Sequence, residues 1–103
     1  MERRYSERIK AGYRTEIFYR DGTYFGVVEN ISASGVNVLT DELAPGFAFT
    51  PDDPIELNFR SLAGSVILLK CTIMWTSKIP PQNLRHRIGM EIDKSCRDKV
   101  DFL

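Results

Sequence analysis

Two clusters of polar side chains in this sequence have the chemistry to hold an anionic nucleotide. The first is Arg3-Arg4-Tyr5-Ser6-Glu7-Arg8, which has R-x-x-x-R spacing at Arg4 and Arg8 and a further arginine, Arg3, directly before it. Guanidinium groups grip phosphate through bidentate, charge-assisted bonds, and their flat faces stack on purines. Their edges also pair with O6 and N7 of guanine. The second cluster is Asn30-Ile31-Ser32-Ala33-Ser34-Gly35, spaced N-x-S-x-x-G. Here an amide and a hydroxyl sit on a bend closed by Gly35, a residue free to adopt backbone conformations forbidden to others. The arginines can take phosphates and one base, while Asn30 and Ser32 read a second guanine by its hydrogen-bonding edge.

Other chemistry is poorly served. The single histidine, His86, lies between Arg85 and Arg87 with no nucleophile placed for it, and reads as a surface residue. Asp52-Asp53 is a weak metal signal, since two adjacent carboxylates lack further ligands at spacing. There is no phosphate-cradling glycine loop and no zinc pattern. Cys71 and Cys96 have no C-x-x-C relation and read as reduced, unlinked thiols. The expectation is a binding protein, not an enzyme, with no cofactor.

The charge distribution narrows the ligand. The net charge is zero, yet residues 1–20 carry six basic and three acidic side chains, and residues 21–59 carry seven acidic and no basic ones. A neutral total argues against a general DNA or RNA binder, which needs a broad basic surface to displace counterions. A single-stranded RNA barrel would need exposed aromatics along a basic groove, whereas the aromatics near the arginines are Tyr5 and Tyr13. The longest aliphatic run, Val66-Ile67-Leu68-Leu69, is too short to span a bilayer. The N-terminus is charged with no apolar stretch behind it, so the chain is expected in the cytoplasm, without membrane insertion.

The elements that must position these clusters are strands. Residues 1–11 lack alternation and read as a flexible arginine-rich arm; if helical, they would put Arg4 and Arg8 on one face. Tyr13 to Arg20 and Thr23 to Ile31 read as a hairpin about Asp21-Gly22, a pair suited to a tight two-residue turn. That register sets Phe18 against Phe25, Tyr19 against Tyr24, Arg14 against Glu29 and Tyr13 against Asn30, which brings the arm to the polar corner. Gly35 to Leu39 resumes strand, and a loop rich in proline follows from Thr40 to Pro54, in which Phe47 and Phe49 cap the core. Ile55 to Arg60 alternates. Val66 to Thr76 is a long strand predicted to turn Leu69, Cys71, Ile73 and Trp75 to one side, and Ile88, Met90 and Ile92 are the buried side of the last strand.

Six short antiparallel strands in 103 residues call for closure, since open edges invite aggregation. The expected architecture is one all-β domain, residues 1–103: the arm over 1–11, a six-stranded antiparallel β-barrel over 12–93, and a short C-terminal helix over 94–103 that lays Val100 and Leu103, or Phe102, on the barrel.

The joint occurrence of the two motifs in this order, flanking a hairpin, resembles the PilZ domain family, whose members bind the bacterial second messenger cyclic di-GMP. The family's R-x-x-x-R matches Arg4-Tyr5-Ser6-Glu7-Arg8, and its [D/N]-x-S-x-x-G matches Asn30-Ile31-Ser32-Ala33-Ser34-Gly35. The resemblance covers nearly the whole chain. It implies a PilZ-like barrel, a ligand site at Arg3, Arg4, Arg8, Asn30, Ser32 and Gly35, and an arm that orders when the ligand binds and signals to a downstream protein. Asn30 stands where many relatives have aspartate, and an amide accepts through one oxygen where a carboxylate accepts two guanine N–H bonds. Arg3 before the motif implies a stacked, intercalated ligand dimer. The competing expectation is a PilZ-fold adaptor of motility or pilus machinery that binds no nucleotide.

Overall fold

A computed structural model describes residues 9–103 of the chain. Six strands run in order, β1 (Ile9–Tyr19), β2 (Gly22–Ile31), β3 (Gly35–Thr40), β4 (Pro54–Arg60), β5 (Val66–Lys78) and β6 (His86–Ile92), followed by a 3-10 helix, Lys94–Phe102. All neighbours are antiparallel, and the sheet closes into a barrel in the order β1-β2-β3-β6-β5-β4. This is the expected six-stranded antiparallel architecture with one short helix. Closure is made by β1 and β4, which pair from Thr15 with Phe59 to Phe18 with Glu56.

Alternation fills the interior. Ile17, Val28, Ile31, Val36, Val38, Leu57, Leu69, Ile73, Ile88 and Ile92 are fully buried; each such side chain contributes roughly 1.5–3 kcal/mol relative to exposure. Burial pushes the Cys71 thiol up to about 12, so it is inert at neutral pH. Cys71 and Cys96 are both buried and unlinked. Asp93 caps the 3-10 helix by accepting from the Ser95 N–H, and Cys96 and Val100 are buried, with Leu103 packed on the core.

The hairpin register differs from expectation. Tyr19 faces Gly22, Phe18 faces Thr23, Ile17 faces Tyr24, Glu16 faces Phe25, Arg14 faces Val27 and Tyr13 faces Val28. The turn is therefore Arg20-Asp21, with Arg20 in the left-handed region at φ 54°. Sliding a turn by one residue shifts pairing by two, which leaves every side chain on its own face, so alternation cannot tell the registers apart. Gly22 is used for space: a Cβ there would lie 2.4 Å from the Tyr24 hydroxyl. The strand also starts at Ile9, three residues before the expected barrel boundary.

Three further sequence readings are corrected. Trp75 does not join Ile73 inside the barrel, because β5 carries a bulge: Ile73 faces Met90, but Trp75 faces Gly89, with Met74 the extra residue. One inserted residue reverses the alternation and turns the indole outward, 43% exposed. His86 is a core residue, 2% exposed, with Phe47 and Phe49 rings 6.3 and 5.7 Å away and its backbone N–H bonded to Thr40 Oγ1 at 2.9 Å. Its two charged neighbours in sequence gave no sign that the β6 pleat points it inward. Finally, Gly35 is not among the glycines with left-handed backbone, which are Gly12, Gly46 and Gly64; it is already strand, facing Glu91.

Among the described residues, no helix is long and apolar enough to cross a membrane.

Candidate functional site

The polar corner forms because two strands end together. β1 begins where β2 ends: Ile9 pairs with Ile31 and Lys10 with Asn30. Arg8, which precedes Ile9 in the chain, and Arg3 and Arg4 lie outside the described residues, as does the expected conformation of the arm. The corner is held by its own hydrogen bonds. Ser32 is 2% exposed; its N–H donates to the Gly35 carbonyl at 2.8 Å and its hydroxyl accepts the Gly35 N–H at 3.2 Å. The Ile92 N–H donates to the Ser34 carbonyl at 2.9 Å, tying the corner to β6.

Asn30 is presented outward by a bulge. Val28 faces Val38, but Asn30 faces Asn37, which leaves Glu29 as the extra residue of β2. Strict alternation from buried Val28 would put Asn30 in the core and Ile31 in water. The bulge instead buries Ile31 and leaves Asn30 half-exposed. Burying an isoleucine is worth about 1.5–3 kcal/mol and burying an amide without partners costs about 1–3 kcal/mol, so the two terms favour the bulged arrangement together. At the same level of β1, Ala11 and Gly12 together face Glu29. Gly12 takes φ 72°, and nothing lies within 4 Å of where its Cβ would be. Backbone conformation, not crowding, calls for glycine there.

Cross-strand pairing then lays out a row on the outer face: Asn30 beside Asn37, Asn37 beside Gly89, and Gly89 beside Trp75. Three strand spacings separate its ends, about 14 Å. Gly89 points outward yet is buried, because the indole lies on it; a Cβ at Gly89 would sit 2.1 Å from Trp75 Nε1. Sequence reasoning missed Asn37, Gly89 and Trp75 as neighbours of the corner. They are remote in sequence, and the alternation that would have located Trp75 is broken by its bulge.

Electrostatics around the row are mostly neutralised. Glu29 takes a bidentate grip from Arg87 at 2.7 and 3.0 Å, and that bond holds its carboxyl below the usual range. Arg14 holds Asp41 at 2.9 and 2.7 Å, with Asp41 lowered likewise. Asp53 accepts from the Tyr19 hydroxyl at 2.7 Å and from Arg20 at 2.8 Å. Three of the seven acidic residues in 21–59, Glu29, Asp41 and Asp53, are thus paired with arginines from other segments. No group of three or more His, Cys, Asp or Glu residues suited to a metal ion occurs among the described residues.

Comparison with known proteins gives a consistent outcome. The PilZ domain family model matches residues 2–100. No curated protein sequence matches the chain significantly. Among solved structures, the PilZ domain of YcgR from Escherichia coli, determined with c-di-GMP, superposes with TM-score 0.70 at 14% identity over 97% of this chain and 87% of that one. The PilZ domain of CeSA from a cellulose-synthesizing bacterium gives TM-score 0.66 at 19% identity over 94% and 96% of the two chains. The Bacillus subtilis inhibitor of motility, MotI/DgrA, gives 0.69 at 19% identity over 97% of this chain, which spans only 48% of that one.

Proposed function

This chain belongs to the PilZ domain family, and from that premise we propose that it is a receptor for cyclic di-GMP, held between the arginine arm and the polar corner. Arg4 and Arg8 grip the phosphates and stack on one base, Asn30 reads a guanine edge, and Ser32, buried with its hydroxyl on the Gly35 N–H, holds the corner in shape where it joins β3 at Gly35. Arg3 adds a third guanidinium and supports an intercalated ligand dimer. The observation that carries the reading is the pairing of Lys10 with Asn30 and Ile9 with Ile31. The residue after Arg8 therefore enters the sheet beside the corner, so the arm has only to fold back over its own strand.

The mechanism is ordering of the arm. Without ligand, Arg3, Arg4 and Arg8 repel one another; the ligand's two phosphates remove that repulsion and draw the arm across the barrel end. A downstream protein then meets a surface absent before binding. Trp75, at the end of the outer row, offers a flat face for a base and is the single tryptophan of the chain.

Calorimetric titration with cyclic di-GMP tests this. The wild type is expected to bind two ligands per chain, and Arg8→Ala and Asn30→Ala each to bind at least about tenfold more weakly, since a lost charge-assisted bond or an orphaned base edge costs about 1.5–3 kcal/mol. Absence of binding heat from the wild type would instead make the protein a nucleotide-independent adaptor. Equal binding by all three would mean that the site lies elsewhere.

A further inference from the structure

Asn30 supplies one acceptor oxygen where a carboxylate would supply two, so the adjacent N1–H and N2–H of a guanine at the corner call for a two-oxygen acceptor that Asn30 is not. Three carboxylates flank the corner along β2 and the end of β6, those of Glu29, Glu91 and Asp93. Glu29 is committed to Arg87 through two bonds of 2.7 and 3.0 Å. Asp93 is committed to the helix cap, accepting from the Ser95 N–H and hydroxyl. Glu91 differs: among the described residues its carboxylate makes no hydrogen bond and pairs only loosely with Arg97, at 3.7 Å, with the Glu91 side chain 57% exposed.

Glu91 is also well placed. It lies on the outer face of β6 directly opposite Gly35, the last residue of the corner. The Ile92 N–H bonded to the Ser34 carbonyl fixes this stretch of β6 against the corner. Arg97 is itself anchored, its Nε donating to the Ile92 carbonyl at 3.1 Å, so it stays beside Glu91 and offsets the repulsion between that carboxylate and an anionic ligand.

We propose that Glu91 is the guanine-specifying carboxylate of this site, accepting the N1–H and N2–H of a base whose other contacts come from the corner. The inference rests on the cyclic dinucleotide reading above. Guanine presents two adjacent donors on this edge, which suit a carboxylate's two oxygens. Adenine presents an acceptor at N1 beside a donor at N6, so one oxygen of Glu91 faces a lone pair and repels it.

The test is titration of the full chain, wild type and Glu91→Gln, with cyclic di-GMP and with cyclic di-AMP. Loss of the charged acceptor is expected to weaken cyclic di-GMP about tenfold and to leave cyclic di-AMP no weaker, so that discrimination falls by that factor. Binding of cyclic di-AMP also reports that the variant is folded. If the ratio of the two affinities is unchanged, including the case where both ligands tighten equally because a negative charge is gone, Glu91 reads nothing and the proposal is overturned. A wild type that binds neither nucleotide overturns the receptor reading and this proposal with it, whereas a binding wild type with an unaltered ratio in the variant sinks only the role of Glu91.

Discussion

The two ends of the barrel are built on opposite principles. At the end of the Arg20-Asp21 turn, Phe47 and Phe49 from the long loop pack against Tyr19, Tyr24 and His86, with ring centroids 4.9 Å apart for Tyr19–Phe49, Tyr24–Phe47 and Phe47–Phe49. The polar atoms of this plug are largely spoken for: the Tyr19 hydroxyl donates to Asp53 at 2.7 Å and accepts the Thr50 N–H at 3.0 Å. At the other end, bulges at Gly12 and Glu29 interrupt the ladder and turn amides outward. One end closes the core; the other presents hydrogen-bonding groups on a frame that the closed end keeps rigid. On the proposed function, stability and recognition fall to different residues, and substitutions should separate them.

The largest expected effect is at the closed end. Phe49→Ala removes a 2%-exposed ring and is expected to cost about 3–5 kcal/mol of unfolding free energy, read from denaturant midpoints, while nucleotide affinity of the folded fraction stays within a factor of about two, below 0.5 kcal/mol. A tenfold affinity loss would show that the ends are coupled after all. At the open end, Gly12→Ala forces a side chain into left-handed backbone and is expected to cost about 1–2 kcal/mol. Because the strain falls where the arm meets the sheet, its affinity loss should exceed that of Phe49→Ala; the reverse order would refute the division.

The smallest effect is a pH dependence confined to the plug. Burial, with a lesser push from Lys78, lowers the pKa of His86 below 6.5. A base held neutral in the fold but free to protonate when unfolded contributes stability that is complete above the unfolded value. That stability declines as pH falls from there towards the folded value, by at most about 1.4 kcal/mol per pH unit. Glu29, Asp41 and Asp53 are lowered acids, so their contribution is lost only at more acid pH, below the ordinary carboxylate range. Unfolding midpoints between pH 7.5 and 5.5 should therefore slope for the wild type and flatten for His86→Asn; equal slopes would place the titration elsewhere.

How much of this was legible in advance follows from which physical rules are local. The six strands, closure of the sheet, the capping role of Phe47 and Phe49 and the R-x-x-x-R and N-x-S-x-x-G motifs all follow from side-chain types and their periodicity. So does the meeting of the start of β1 with the corner: any register of a hairpin returns the start of β1 to the end of β2. What the sequence by itself determined, then, is the fold class and the candidate groups, because alternation, turn chemistry and composition act between near neighbours. Only the tertiary structure decided the Arg20-Asp21 turn, the outward face of Asn30 and Trp75, the burial of His86 and the placing of Glu91 beside Gly35. The turn and the outward faces of Asn30 and Trp75 depend on a two-residue slip or an inserted residue, whereas the burial of His86 and the place of Glu91 depend on how β6 pairs with its neighbours. Such shifts are settled when distant strands compete for the same interior, as when Ile31 displaces Asn30 from the core and the Trp75 ring lies over Gly89.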